Sequence, residues 1–129
     1  MIEALIEAAR KARQRASAPH SGFQVGAALL VHSKTIVTGC NIESASYGLT
    51  ICAERVALFK AVADGHRKFE AIAIIADSSQ FTTPCGACRQ IIWEFCGDIP
   101  VIAADLSGNY RQFRSGELLP VPFDRSQLR

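Results

Sequence analysis

Apolar residues in the first part of the chain recur at helical spacing, with Ile2, Leu5, Ile6, Ala9 and Ala12 on one side and Arg10, Lys11, Arg13 and Arg15 on the other. This spacing predicts a helix from Ile2 to about Ala16, stopped by Ser17, Ala18 and Pro19. Phe23 to Val31 is short, apolar and β-compatible. His32, Ser33 and Lys34 make a turn, and Thr35 to Asn41 supplies a second strand, so the pair reads as a hairpin. From Ile42 to Thr50 the periodicity disappears, which marks a connecting or functional loop. Ile51 to about Ala63 is rich in helix formers and ends at Asp64 and Gly65. Val56, Ala57, Leu58, Phe59, Ala61 and Val62 cover nearly every face of this second helix, with Lys60 the main exception. A helix apolar all round must be covered all round, so part of the cover is expected from another subunit.

Glu70 to Ala76 is a near-continuous apolar run, as in a strand buried on both faces beneath helices. After the polar loop Asp77 to Thr83, the segment Cys85 to Cys96 carries helical spacing at Ile91, Ile92 and Phe95, with Pro84 just before its start. Val101 to Ala104 and Tyr110 to Arg114 read as strands around the turn signal Ser107-Gly108-Asn109, and Glu117 to Leu119 as a helical turn. The order α-β-β-α-β-α-β-β predicts an α/β fold, a five-stranded mixed sheet with helices packed on its faces. No internal repeat or linker interrupts it, so residues 1–129 read as one domain.

Composition narrows the function. The 129 residues are 49% hydrophobic and 20% charged, enough for a core without disulfides. A net charge of +2 gives no clustered basic face for a nucleic-acid backbone, so no nucleic-acid partner is expected. The longest apolar runs, such as Val25 to Val31, fall far short of the roughly 20 residues of a membrane span. Five cysteines, an odd number with no secretory leader before them, predict a reducing, cytoplasmic setting.

Two short segments carry candidate chemistry: Cys52-Ala53-Glu54-Arg55 and Pro84-Cys85-Gly86-Ala87-Cys88-Arg89-Gln90, each opening a helix. At a helix start, unpaired amides and the macrodipole favour thiolate, the form that binds metal. Cys85 and Cys88, three apart, share one helical face and can ligate one ion, with Cys52 as the third ligand. Three protein ligands and an open fourth position are the pattern of a catalytic zinc site. Glu54, two residues after the first ligand, lies beside such a site and can move protons. A Cys or His, one residue, Glu, then Pro-Cys-x-x-Cys is the known signature of zinc deaminases, whose Glu is the general acid and base.

The resemblance extends through Phe23-Gln24-Val25-Gly26-Ala27-Ala28-Leu29, Gly39-Cys40-Asn41-Ile42-Glu43, both cysteine segments and Glu117-Leu118-Leu119-Pro120, which follow one another as in the small cytidine deaminases. It covers essentially the whole chain and implies that family's α-β-α layering. It also implies homotetramers with composite active sites, acting on free pyrimidine nucleosides with one Zn2+ per subunit. Carried over, it implies Cys52, Cys85 and Cys88 as zinc ligands, Glu54 as proton shuttle, and Asn41 and Glu43 at the ribose hydroxyls. Phe23 would pack near the pyrimidine, the Ala53 backbone would meet the polar edge of the base, and Tyr47 would line the pocket at a subunit boundary. Phe123 would reach a neighbouring subunit's base. His20 stands where a Tyr is common and Val56 where a Thr usually follows Arg55, departures that bear on fine specificity. The implied reaction is hydrolysis of cytidine and 2'-deoxycytidine to uridine and 2'-deoxyuridine with release of ammonia.

Three thiolates against one divalent cation leave a net charge of minus one, which a guanidinium at a ligand sulfur would offset. Arg55, favoured by the resemblance, and Arg89 are the candidates. Other readings of the same residues are a Cys85/Cys88 redox dithiol, a structural zinc completed by Cys40, Cys96 or a His, and a non-catalytic zinc-binding module. A deaminase of another small aminopyrimidine nucleoside would use the same zinc chemistry behind a different pocket wall. Cys40 and Cys96 read otherwise as small buried hydrophobes.

Overall fold

A computed structural model describes residues 1–128. Helix α1 (Ile2–Arg13) leads into the strands β1 (Val25–Val31) and β2 (Ile36–Cys40). Helix α2 (Ala53–Ala63), strand β3 (Phe69–Ala76) and helix α3 (Gly86–Cys96) follow, then β4 (Pro100–Ala104), β5 (Tyr110–Arg114) and the short α4 (Ser115–Leu118). The sheet order is β2-β1-β3-β4-β5; β3 and β4 run parallel, joined by the crossover through α3, and the other neighbouring strands pair antiparallel. The expected mixed five-stranded sheet and the order of its elements are therefore present.

Strand alternation sorts side chains into two cores. Val25, Ala27, Leu29, Ile72, Ile74 and Val101 face the layer of α2 and α3, packing on Ala57, Leu58, Ala61 and Ile92. Ala28, Leu30, Ala73, Ile75 and Ile102 face the other way, against Leu5, Ile6 and Ala9 of α1. Cover on both faces explains why β1 and β3 read as continuous apolar runs rather than alternating ones.

Element ends shift where tertiary backbone bonds outcompete local propensity. Helix α1 stops at Arg13, not Ala16, because the chain turns out to place Ser17 beside β2: Ser17 N–H donates to the Asn41 carbonyl (3.0 Å) and its own carbonyl accepts from Glu43 N–H (2.8 Å). Strand β1 begins at Val25 rather than Phe23, since the Asn41 amide group takes the Val25 N–H and the Phe23 carbonyl. Ile51 exchanges two backbone bonds with Ile42, so α2 starts two residues later than expected. The aperiodic loop contains a 3-10 turn at Tyr47–Leu49. Helix α4 lies slightly earlier than expected, because the buried Ser115 hydroxyl bonds both Ile99 N–H and the Gly97 carbonyl. On α2, Phe59 stays exposed and meets Phe95 of α3 edge-on, with ring centroids 6.2 Å apart. Among the described residues no helix is long and apolar enough to cross a membrane.

Two glycines set how close the helices approach the sheet. A Cβ on Gly26 would lie 2.0 Å from the Ala9 carbonyl oxygen of α1, and one on Gly39 would lie 2.4 Å from Ala57 N and 2.5 Å from Ala53 O of α2. Because the atoms met are helix backbone, no rotamer change relieves the clash. Gly39→Ala and Gly26→Ala are each expected to destabilise the fold by about 3 kcal/mol. Urea unfolding measures this, and a loss under about 0.5 kcal/mol would contradict the close packing.

Candidate active site

The two cysteine segments meet because their helices pack side by side on one face of the sheet. Cys52 is the N-cap of α2 and Cys85 the N-cap of α3, both in extended backbone conformation, and Cys88 lies in the first turn of α3. Their carbonyls accept the first helical bonds, Val56 N–H on Cys52 O (3.1 Å) and Arg89 N–H on Cys85 O (2.9 Å). Neither sulfur caps its own helix, so both are free to point at each other. The ligand atoms of Cys52, Cys85 and Cys88 all lie within 4.8 Å of one another, with Cys52 Sγ and Cys85 Sγ 3.7 Å apart. A tetrahedral zinc with Zn–S bonds of about 2.3 Å needs sulfurs about 3.8 Å apart, so the spacing suits one ion. Among the described residues no fourth His, Cys, Asp or Glu joins this cluster.

The cluster's electrostatics point the same way. Cys52 is held well below the usual thiol range, first by the hydrogen bond from Cys88, with further help from Arg55 and Cys85. Cys88, fully buried, is pushed far above that range by its hydrogen bond with Cys52, by burial and by the negative charges around it. The hydrogen bond between Cys52 and Cys88 thus favours one thiolate beside one thiol, and a divalent cation in their midst would take the place of the remaining protons. Arg55 Nη2 donates to Cys52 Sγ at 3.6 Å, while its buried Nε has no partner among the described residues. Arg89 does something else: Nε donates to Pro84 O (2.7 Å), Nη1 to Leu118 O (3.1 Å) and Nη2 to Thr83 Oγ1 (3.0 Å). It clamps the loop before Cys85 to the end of α4, and it does not serve a ligand sulfur.

Glu54, 4% exposed, lies beside the cluster in the first turn of α2. Burial pushes its carboxyl up to about 7, the Cys52 charge adds to the rise, and its own backbone amide opposes it. A carboxyl poised near neutrality can both take and give a proton. Ala53 is fully buried at the helix start, where its N–H has no intrahelical partner. Cys40 and Cys96 stay outside the cluster, and burial alone pushes Cys96 up to about 12.

A cleft of about 420 Å³ is lined by His20, Ser21, Glu43, Tyr47 and Thr50. The His20 and Tyr47 rings meet edge-on at 5.7 Å. Glu43 Oε1 accepts from His20 N–H (2.8 Å) and Ser21 N–H (3.1 Å), and Oε2 from the Ser21 hydroxyl. Asn41 is buried and locks Phe23 and Val25, whereas the Phe23 ring is partly exposed. Phe123 does not line this cleft; its carbonyl accepts from Gln90 Nε2 (2.7 Å) and its ring is half exposed. Ser21 and Thr83 carry no motif of their own in the sequence, and the Ser21-Gly22 pair is the one local signal of a turn at the first.

Residues 1–103 match the family model described as the cytidine and deoxycytidylate deaminase zinc-binding region. The chain belongs to this family. It is 49% identical to a cytidine deaminase of Sporosarcina psychrophila over 98% of this chain and 94% of that protein. A cytidine deaminase of Halalkalibacterium halodurans is also 49% identical, over 96% of this chain and 95% of its own. The crystal structure of a Burkholderia pseudomallei cytidine deaminase superposes with a TM-score of 0.91 at 47% identity, covering 93% of this chain and 97% of that one. The chain is accordingly a zinc-dependent deaminase with the cytidine-deaminase fold. With zinc in the sulfur cluster, Cys85→Ala is expected to lower bound zinc from about one per chain to under about 0.2, since two thiolates hold the ion far more weakly. Metal analysis after dialysis measures it, and full retention would remove Cys85 from the ligand set.

Proposed function

We propose that the chain hydrolyses cytidine and 2'-deoxycytidine to uridine and 2'-deoxyuridine, releasing ammonia, with Cys52, Cys85 and Cys88 as the zinc ligands. The observation that carries this reading is a buried Glu54 beside a three-sulfur cluster that has no fourth protein ligand among the described residues. Zinc bound there would supply a Lewis-acidic position at which a water becomes acidic enough to react near neutral pH.

The chain's own residues do the rest. Glu54 takes the proton of the attacking water and delivers it to N3 of the pyrimidine as a bond forms at C4. It then moves a second proton to the departing amine, so that water and cytidine leave as uridine and ammonia. Burial keeps Glu54 out of bulk water, which holds its proton for the ring. Arg55 donates to Cys52 and would offset the excess negative charge of three thiolates around zinc, which would make a bound ion the stronger acid. The Ala53 backbone at the start of α2 meets the polar edge of the base, where an unpaired helix amide is available. Asn41 and Glu43 hold the sugar, Phe23 packs on the base, and Tyr47 closes the pocket wall.

The active assembly is a homotetramer in which Phe123 of a neighbouring subunit reaches the base. The half-exposed Phe123 ring, which lies off its own cleft, and the exposed Phe59 and Phe95 support that arrangement. Five free cysteines suit a reducing cytoplasm, and residues 1–129 act as one catalytic domain.

Loss of cytidine absorbance in zinc-loaded protein tests the reaction. Glu54→Gln should retain zinc yet lose about a thousandfold or more in kcat. Near-normal turnover by that variant would remove Glu54 from proton transfer.

A further inference from the structure

After α1 the chain turns tightly: Gly22 N–H donates to the Ala18 carbonyl at 2.9 Å, and Gly22 adopts a positive φ of 72°. This turn sets Ser21 opposite Glu43. The Ser21 hydroxyl donates to Glu43 Oε2 and accepts the Phe23 N–H at 3.0 Å. On the other side of the same residue, Asn41 Nδ2 donates to the Phe23 carbonyl at 2.8 Å, and Asn41 Oδ1 accepts Val25 N–H at 2.9 Å. Both backbone polar groups of Phe23 are thus fixed, one by Ser21 and one by Asn41.

The bond count at Glu43 is informative. Each carboxylate oxygen has two acceptor directions. On Oε1 both are taken, by His20 N–H at 2.8 Å and Ser21 N–H at 3.1 Å. On Oε2 the Ser21 hydroxyl takes one and leaves the other. Without that hydroxyl only the two N–H bonds on Oε1 would hold the carboxylate, and Oε2 would present two open acceptor directions instead of one. The Ser21 bond is also the chief cause holding the Glu43 carboxyl below its usual range, so it is an ionised acceptor near neutral pH.

We propose that Ser21 is a positioning residue: its hydroxyl ties the Glu43 carboxylate and the Phe23 backbone into one unit and leaves a single open acceptor on Glu43 for a sugar hydroxyl. This rests on the reading above that Glu43 and Phe23 meet the nucleoside. A hydroxyl with one proton must donate to the carboxylate and accept from the amide, so sugar-side and base-side contacts are set together. Among the described residues the Ser21 side chain bonds Glu43 and Phe23 and forms no hydrogen bond with the sulfur cluster or Glu54, so its effect falls on binding rather than on chemistry.

The test uses zinc-loaded Ser21→Ala, Ser21→Thr, Glu43→Gln and the double variant Ser21→Ala/Glu43→Gln, with cytidine turnover and calorimetric titration of uridine. Ser21→Ala should raise the KM for cytidine and weaken uridine binding about tenfold, with kcat within about twofold and zinc content unchanged. Ser21→Thr, which keeps a hydroxyl, should return both to within about threefold of the parent. In the Glu43→Gln background, Ser21→Ala should add less than about twofold, because the two residues act through one contact. Unchanged KM and uridine affinity in Ser21→Ala would overturn the proposal, as would an effect undiminished in the Glu43→Gln background. If Glu43→Gln itself changes neither quantity, the assignment of Glu43 and the role of Ser21 fall together. Absence of cytidine turnover in the zinc-loaded parent would contradict the proposed reaction, while the uridine titrations would still decide the role of Ser21.

Discussion

The constraint on which the site depends is the close approach of three sulfurs held at the starts of two helices. Cys52 and Cys85 cap α2 and α3, Cys88 sits one turn into α3, and all three ligand atoms fall within 4.8 Å. Thiols at that spacing cannot all ionise in the absence of a cation, and the opposed shifts of Cys52 and Cys88 express the conflict. A divalent ion among them would hold all three as thiolates, so metal binding there would add to the packing of α2 on α3. Everything that fixes where α2 and α3 begin therefore fixes the site. Gly39 lets the first turn of α2 rest on β2, and Arg89 ties the segment before Cys85 to the end of α4.

A second layer of the design separates tasks by environment. Glu54 and Glu43 are both carboxylates, yet one is buried with its carboxyl pushed up to about 7 and the other is a half-buried carboxylate held low by hydrogen bonds. The first environment suits a group that exchanges protons, the second a group that only accepts hydrogen bonds. These are the roles proposed for them. The loop bonds that begin at Ser17 and end at Val25 join the second group to the edge of the sheet, so the cleft is anchored to the same β1–β2 hairpin against which α2 packs.

Much of this was legible in the residues. The double-sided burial of β3 followed from its unbroken apolar run, and the meeting of Cys52 with Cys85 and Cys88 followed from their residue types, spacing and placement at helix starts. Less legible were features set by long-range backbone bonds. Helix α1 ends early because Ser17 pairs with Asn41, and no local pattern announces a partner 24 residues away. Arg89 and Arg55 follow cysteines in similar motifs, yet the first turns to the carbonyls of Pro84 and Leu118 and the second to a sulfur. That difference lies in which carbonyls the fold leaves unpaired nearby. Ser21 was hidden for a related reason: its partner Glu43 belongs to another loop, and a serine before a glycine reads as turn chemistry alone.

The most direct test is the zinc coordination shell, read by X-ray absorption at the zinc edge on the loaded protein. Three sulfurs at about 2.3 Å and one oxygen at about 2.0 Å are expected, the fourth position being open to water. A shell of four sulfurs, or of three sulfurs and a histidine nitrogen with no exchangeable oxygen, would make the zinc structural and contradict a hydrolytic site.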